Sequence, residues 1–413
     1  MHNRPIERIL VLSGGGARGA YQVGVCKHLY DVGWVPDMVL GNSIGATNGA
    51  MLVAPDYDAV QDPQAMARIE TPADLLEHVW LTDMLNLNLY VPFWRSMEPS
   101  RAAAPPLQPA LLGLAGVLQD PKANPEAFEG LVDVVQEELG PEIDELTREV
   151  TVETRSAERP ERELSRGLLK LVLRLIKKSF SLPALVPRPG WREVLEEYVD
   201  YVALGDPEAA YFGIASTDVA TGALQMFWNH LPLDTWGEEV AVQVRHILSS
   251  SSIPGVYRAT KAEASQGEER YRWDGVLVAN VPIAPAFDLI DSVERIVVVL
   301  MAPWSEHPEG PGFPTSDEEG AIAGQAADEA VPTVGDALKR HLDWWMLAPL
   351  RSELRKLDPV QRDKVKIVWP KDLAQPGSDI AYLTNPLSIV DYRADRNEQL
   401  IAVGRKDAQE MGL

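Results

Sequence analysis

The sequence predicts an α/β fold whose parallel strands are joined by right-handed crossovers, and three observations carry that expectation. The run Arg8–Ser13 (RILVLS) has an unbroken apolar centre, meets three glycines and gives way to a helical stretch from about Ala17 to Val32. A second short run, Asp37–Gly41 (DMVLG), meets another glycine-marked turn and then a small-residue helix from Ile44 to about Val53. Neither run alternates apolar with polar residues, as expected of strands buried on both faces between layers of helix. Strand–loop–helix repeated in this way is the pattern of a βα sheet, which places its sites at the carboxyl ends of its strands.

The pattern breaks between about 85 and 200, which reads as a helical insertion. Leu107–Leu118 is rich in Pro, Ala and Leu, and Glu137–Glu163 is strongly acidic. The sheet resumes at Tyr211–Asp218 (YFGIASTD). A turn at Thr221-Gly222 then leads into Leu224–Trp228, a hairpin signal. A helix is expected from Glu238 to Leu248, ending in four serines and Pro254. Further strands are expected at Glu269–Trp273 and Arg295–Met301. Ser316–Ala330, acidic and rich in Ala and Gly, reads as a loop or linker, and the remainder carries two helical patterns and a short strand at Val365–Trp369. The organisation expected is a catalytic domain over residues 1–310 and a helical C-terminal extension over 311–413 that packs on it. No internal repeat is visible.

At 46% apolar and 24% charged residues over 413 positions, the chain can bury a large core without a disulfide or metal staple. Its one cysteine, Cys26, excludes an intramolecular disulfide and falls in the first helical stretch, where a free thiol packs as a small hydrophobe. A formal net charge of −23 repels phosphate backbones, which argues against nucleic-acid binding and against broad adsorption to anionic membranes. Ile9–Leu12 is too short for a signal-peptide core, and no apolar stretch reaches the roughly 20 residues of a membrane span. The sequence reads as cytosolic, with any membrane contact local.

Two motifs carry chemistry. Gly14-Gly15-Gly16-Ala17-Arg18-Gly19 leaves a strand and enters a helix, so successive N–H groups can converge on one anion, aided by the helix N-terminus. GGGARG also satisfies GxGxxG, but a dinucleotide site needs an acid where the second strand ends. That strand ends in Gly41, and Asp37 lies at its start. The same strand runs into Gly41-Asn42-Ser43-Ile44-Gly45, a G-x-S-x-G at a strand-to-helix junction. There the sharp turn exposes a serine hydroxyl, and the flanking Gly41 and Gly45 relieve crowding.

A serine nucleophile needs a base. Seven histidines are present (His2, His28, His78, His230, His246, His307 and His341), of which His246 lies in a helix and His307 in a Pro/Gly loop that could deliver one. The serine comes too early in the chain for the usual order Ser, acid, His of α/β-hydrolases. Asp274, in Arg272-Trp273-Asp274-Gly275-Val276, places an acid at a strand end. An ordinary Asp pKa of about 3.9 makes a poor base at neutral pH, and burial beside a neutral serine would raise it. Asp-Gly is also a common turn pair in its own right.

In this order, the glycine loop with Arg18, the elbow continuing as Ser43-Ile44-Gly45-Ala46-Thr47-Asn48-Gly49, the segment Ser252-Ile253-Pro254-Gly255-Val256-Tyr257 and the later Asp274-Gly275 resemble the patatin-like phospholipase family. Asn385-Pro386-Leu387-Ser388, Gly404 and Asp407-Ala408 resemble the tail of its bacterial members. Ile44 departs from the alanine common beside the nucleophile, which would narrow an acyl pocket, and Val276 departs from the Gly or Ala common after Asp-Gly. The resemblance implies a three-layer fold with a central, mostly parallel sheet flanked by helices, and hydrolysis of a lipid ester without metal or other cofactor. Ser43 would attack the acyl carbonyl, Asp274 would take its proton, and N–H groups of Gly14, Gly15 or Gly16 would hold the oxyanion. Arg18 would add positive charge near the site or brace the loop. An acyltransferase on the same Ser43–Asp274 dyad stands as an alternative, and a nucleotide-binding oxidoreductase rests on GxGxxG alone.

One further stretch bears on lipid access. In Ser165–Phe180 (SRGLLKLVLRLIKKSF) Arg166, Lys170, Arg174, Lys177 and Lys178 form one helical stripe beside Leu168, Leu169, Val172, Leu175 and Ile176. Such a helix fits a peripheral contact with an anionic lipid surface, or a core-packed helix with a solvated basic edge.

Overall fold

In the computed structural model, the residues described are 5–87, 190–254, 257–263, 267–302, 304, 347–371 and 392–412. Most of the expected insertion, with Ser165–Phe180, lies outside them, as do Ser316–Ala330 and His307. The chain forms two compact units. One consists of Met1–Tyr90, Pro189–Ile253 and Ala259–Leu413, and holds the architecture that follows; the other consists of Val91–Arg188 and Pro254–Arg258.

The elements that bear on the site are β1 (Arg8–Leu12), α1 (Ala20–Asp31), β2 (Met38–Asn42), α2 (Ile44–Val53), α3 (Pro72–Leu81), β3 (Tyr211–Asp218), β4 (Leu224–Trp228), β5 (Glu238–Glu239), α4 (Val244–Ser250), β6 (Thr260–Glu263), β7 (Glu269–Asp274), α5 (Val276–Ala279), β8 (Arg295–Val299), β9 (Val365–Val368) and α6 (Ala394–Glu410). Among the described residues the sheet has nine strands, in the order β5-β4-β3-β2-β1-β8-β9, with β7 pairing β3 and β6. The run from β3 through β2, β1 and β8 to β9 is parallel throughout. The mostly parallel α/β sheet flanked by helices is therefore as expected.

The central strands are apolar through their middles, with polar residues only towards their ends, because both faces are covered. Leu10, Leu12, Val39, Phe212, Ile214, Val297 and Val299 point to one side, into a core built with α1, α2, α3 and α6. Ile9, Val11, Met38, Leu40, Tyr211, Ile296 and Val298 point to the other, against Val281, Ile283, Ala286, Leu350 and Trp304. The strand period of two thus divides each run between two cores.

The expected helix over Glu238–Leu248 is shorter and later than the sequence reading placed it. Glu238–Glu239 pairs with β4 as a strand, and Glu239 Oε2 accepts from the Leu231 N–H. The helix begins only at Val244, where Gln243 and His246 form a reciprocal cap. Helical periodicity registers apolar spacing but not a side-chain cap, and here the cap sets the start. The first helix also starts later than expected, because Gly16–Gly19 forms a 3-10 turn before α1. β6 was not anticipated.

α1 is buried on nearly every side, between the sheet, α3 and the C-terminal α6. α1 and α6 touch backbone to backbone. A Cβ on Gly24 would lie 1.9 Å from the Ile401 carbonyl oxygen, and one on Gly404 would lie 2.1 Å from the Tyr21 carbonyl oxygen. Tyr21 Oη donates to Asp407 across the same contact at 3.0 Å.

Candidate active site

β2 ends at Asn42 and α2 begins at Ile44, so Ser43 alone makes the turn. It does so at φ 54° and ψ −124°, a conformation that L-residues avoid. Such backbone costs on the order of 1–3 kcal/mol and persists only where surrounding contacts enforce it. The Ser43 carbonyl accepts the first helical bonds, from Ala46 at 3.0 Å and Thr47 at 3.3 Å. Gly45 lets α2 sit against the end of β1, since a Cβ there would come 2.3 Å from the Leu12 carbonyl oxygen. Gly41 also lies close to Ala46, 2.6 Å from its Cα by the same measure.

Strand register brings Asp274 to this turn. β3 pairs β4 through Gly213–Thr217 and β7 through Ser216–Asp218, so β7 must lie on the opposite flank of β3 from β4. That is the flank β2 occupies, where its last rung is Asn42 beside Ala215. The next rung, Ser216, is taken by Asp274. β2 and β7 thus meet end to end along one edge of β3, with Asn42, the residue before Ser43, and Asp274 on neighbouring rungs. Their junction is tight: a Cβ on Gly275 would lie 2.4 Å from Asn42 Oδ1.

The register is pinned two rungs on by a buried ion pair, Arg272 Nη1 to Asp218 Oδ2 at 2.5 Å. Burial alone would raise the Asp218 pKa. The N–H and O–H of Thr221, the Arg272 cation and the Ala220 N–H outweigh it and hold the carboxyl below its usual range.

Asp274 is fully buried. Its Oδ1 accepts from the Val276 N–H at 2.8 Å, its own N–H donates to the Ser252 carbonyl at 2.9 Å, and its carbonyl accepts from Thr217 Oγ1 at 2.9 Å. The residue therefore does begin a turn. The Val276 departure leaves that turn intact, because the bond is made by a main-chain N–H. Ile44 is 1% exposed and packs over Gly19, where a Cβ would lie 2.5 Å from Ile44 Cγ1.

The glycine loop lies against the same turn, with a Cβ on Gly14 falling 3.1 Å from Ser43 Cβ. The Gly14 N–H donates to the Asn280 carbonyl at 3.2 Å. Gln22 Nε2 holds the Ser13 carbonyl at 2.8 Å, and Asn48 Nδ2 holds that of Gly19 at 3.2 Å. Arg18 Nη1 makes a long bond, 3.5 Å, to the Met301 carbonyl and ties the loop to the end of β8. Asp37 sits at the far end of β2, where its carboxylate accepts from the Glu7 and Arg8 N–H groups at 3.0 Å each.

His246 is engaged at both ring nitrogens. Nδ1 accepts from the Gln243 N–H and Nε2 donates to the Glu263 carbonyl, each at 3.0 Å. Accepting at Nδ1 requires the neutral ring, and desolvation by burial lowers its pKa below the usual 6.5. The unfolded chain therefore takes up a proton below about pH 6.5 while the folded one resists it. Stability from this group is complete above that pH and is lost as pH falls below it. Thermal melts from pH 7.5 to 5.5 should show a falling Tm, with a shallower fall for His246→Gln; equal slopes would dissociate His246 from acid sensitivity.

Sequence reasoning missed three polar residues at the junction: Asn42, Ser250 and Asn280. Asn42 was visible as the variable position of the elbow and Ser250 within the serine run. Neither motif discloses which strand or helix end the side chain would meet.

A family model described as patatin-like phospholipase matches residues 10–287. Over 51 residues the chain is 59% identical to lysophospholipase nte1 of Aspergillus terreus, a match spanning 12% of this chain and 3% of that enzyme's length. Among solved structures, VipD from Legionella pneumophila aligns at 13% identity and TM-score 0.35, over 99% of this chain and 67% of that one. A chain of the SpcU–ExoU complex from Pseudomonas aeruginosa aligns at 17% identity and TM-score 0.22, over 86% and 53%.

Proposed function

Because the chain belongs to the patatin-like phospholipase family, we propose that it is a serine hydrolase of lipid esters working through an acyl-enzyme on Ser43, with Asp274 as base. The observation that carries this reading is the meeting of β2 and β7 along β3, where the rung of Asn42, the residue before the strained serine, adjoins the rung of the buried Asp274. Ser43 Oγ attacks the acyl carbon as its proton passes to the Asp274 carboxylate. Oδ1 is held by the aspartate turn, so the assignment gives the proton to Oδ2. The tetrahedral oxyanion is met by N–H groups of the glycine loop. Gly14's is directed to Asn280, which assigns the role to Gly15 and Gly16. Removing one such donor typically costs about 10²–10³ in rate. Collapse breaks the ester C–O bond, and the leaving alkoxide takes the proton from Asp274 and departs as the alcohol. Water then attacks the acyl-enzyme with Asp274 again as base, releasing the fatty acid.

Direct proton transfer from Ser43 to a carboxylate would need no imidazole, which accords with His246 being committed to a helix cap. Membrane contact through Ser165–Phe180 and a cytosolic location belong to the same proposal. No helix among the described residues is long and apolar enough to cross a membrane.

Treatment with a fluorophosphonate followed by peptide mass spectrometry should place one adduct on Ser43. The untreated protein should release free fatty acid from phospholipid, lysophospholipid or glyceride. An adduct on another residue, or none, would overturn the assignment. Acyl transfer to an added alcohol with no release to water would make the chain a transferase on the same dyad.

A further inference from the structure

We propose that Ser250 is a positioning residue for the elbow: its hydroxyl fixes the main-chain N–H of Ser43 and thereby the direction in which the nucleophile's side chain leaves the turn. This rests on the reading of Ser43 as nucleophile. At φ 54° the Ser43 N–H has left the β2–β3 ladder, yet it is buried and requires an acceptor. Ser250 Oγ supplies one at 2.8 Å.

The serine run at the end of α4 shows that this is a particular arrangement. Ser249, Ser251 and Ser252 turn their hydroxyls back to carbonyls of their own helix, at His246, Ile247 and Leu248, at 2.7, 3.4 and 2.9 Å. That is the ordinary local bond of a helical serine. Ser250, fully buried, faces the elbow instead.

Its own O–H continues the chain. Ser250 Oγ donates to Asn42 Oδ1 at 3.5 Å, and Asn42 Nδ2 donates to Asn280 Oδ1 at 3.3 Å. The Asn280 carbonyl accepts the Gly14 N–H at 3.2 Å. All three pieces of the site are thereby linked through buried polar groups: the elbow, the stretch after Asp274 and the glycine loop. Asn42, Ser250 and Asn280 touch one another or main chain, so they act on the reaction only through the groups they hold.

The test is Ser250→Ala and Ser250→Thr in the full chain, with Ser251→Ala as a neighbouring control and Ser43→Ala as the reference for loss of the nucleophile. Turnover of a soluble short-chain ester, the fluorophosphonate labelling rate and Tm are measured on each. Misplacing a reacting group by about 1 Å can cost up to about 10²-fold. Ser250→Ala is therefore expected to lower kcat and the labelling rate by about 10–100-fold with KM close to the parent's, and to lower Tm modestly because the buried Ser43 N–H loses its acceptor. Ser250→Thr, which keeps the hydroxyl, should recover most of the labelling rate, and Ser251→Ala should match the parent. If Ser250→Ala fails to fold, Asn42→Ala removes the next link and should show the same split between kcat and KM. Parent-rate labelling of Ser250→Ala, or equal slowing of the Ala and Thr variants in step with lost Tm, would overturn the proposal. Those results would leave the nucleophile reading standing, provided Ser43→Ala is inactive; turnover retained in Ser43→Ala would remove that reading itself.

Discussion

Ser43→Ala and Asp274→Asn are each expected to lower ester turnover by on the order of 10⁴-fold or more, with the double variant little worse than either, because groups acting as one unit do not lose activity additively. Both substitutions are chosen to spare the fold. Ala at position 43 faces the same strained turn as Ser, and the bond from the Ser43 N–H to Ser250 is made by main chain. Asn at position 274 can still present Oδ1 to the Val276 N–H, and so keep the turn. Its amide would then stand where Oδ2 was, and an amide cannot take the serine's proton. Asp274→Ala would confuse the two roles by deleting the turn bond as well. Measuring kcat and Tm on the three variants, alongside His→Gln at each histidine, decides the mechanism. A histidine variant that melts like the parent but turns over no ester would replace the dyad with a triad.

What was legible in the sequence is what depends on neighbouring residues. The apolar runs of β1 and β2 announce buried strands because their surroundings on both faces are apolar. G-x-S-x-G is informative for the same reason: a strand, one strained residue and a helix are consecutive in the chain. Asp274 could be singled out by its position at a strand end and by the family resemblance of Asp274-Gly275. Its relation to Ser43 depends on β7 taking the rung of β3 that β2 vacates, which is a pairing between segments far apart in sequence. Ser250, Asn42 and Asn280 were invisible as a set for the same cause. The misplaced helix start at Glu238 has a different origin. The two glutamates there are polar and carry no strand signal, and only pairing with β4 makes them one. Ile44 shows the remaining difficulty: adjacency to a nucleophile in sequence does not say which way a side chain points. Here Ile44, the first residue of α2, is buried.

Gly404→Ala should destabilise the protein, although the same change in an exposed helix interior stabilises by about 1 kcal/mol. The sign reverses because the new Cβ would lie 2.1 Å from the Tyr21 carbonyl oxygen. That oxygen belongs to the main chain of α1, so it cannot move away as a flexible side-chain tip would. Relief requires α1 and α6 to separate, which loosens the packing of Leu400, Ile401 and Ala408 and the Tyr21–Asp407 hydrogen bond together. Overpacking of this kind costs about 1–3 kcal/mol and occasionally more, and the wider Gly404→Val should exceed Gly404→Ala. Gly24→Ala should behave alike from the other side, where the Cβ would meet the Ile401 carbonyl oxygen at 1.9 Å. The effect reaches the site through α1, whose Gln22 holds the Ser13 carbonyl at the root of the glycine loop. Activity should therefore decline before the fold is lost, as the loop loosens ahead of global melting. Denaturant titration and esterase assay on the same samples test this. A Tm for Gly404→Ala equal to or above the parent's would mean that the helices can part without cost, and that α6 contributes nothing to holding the loop.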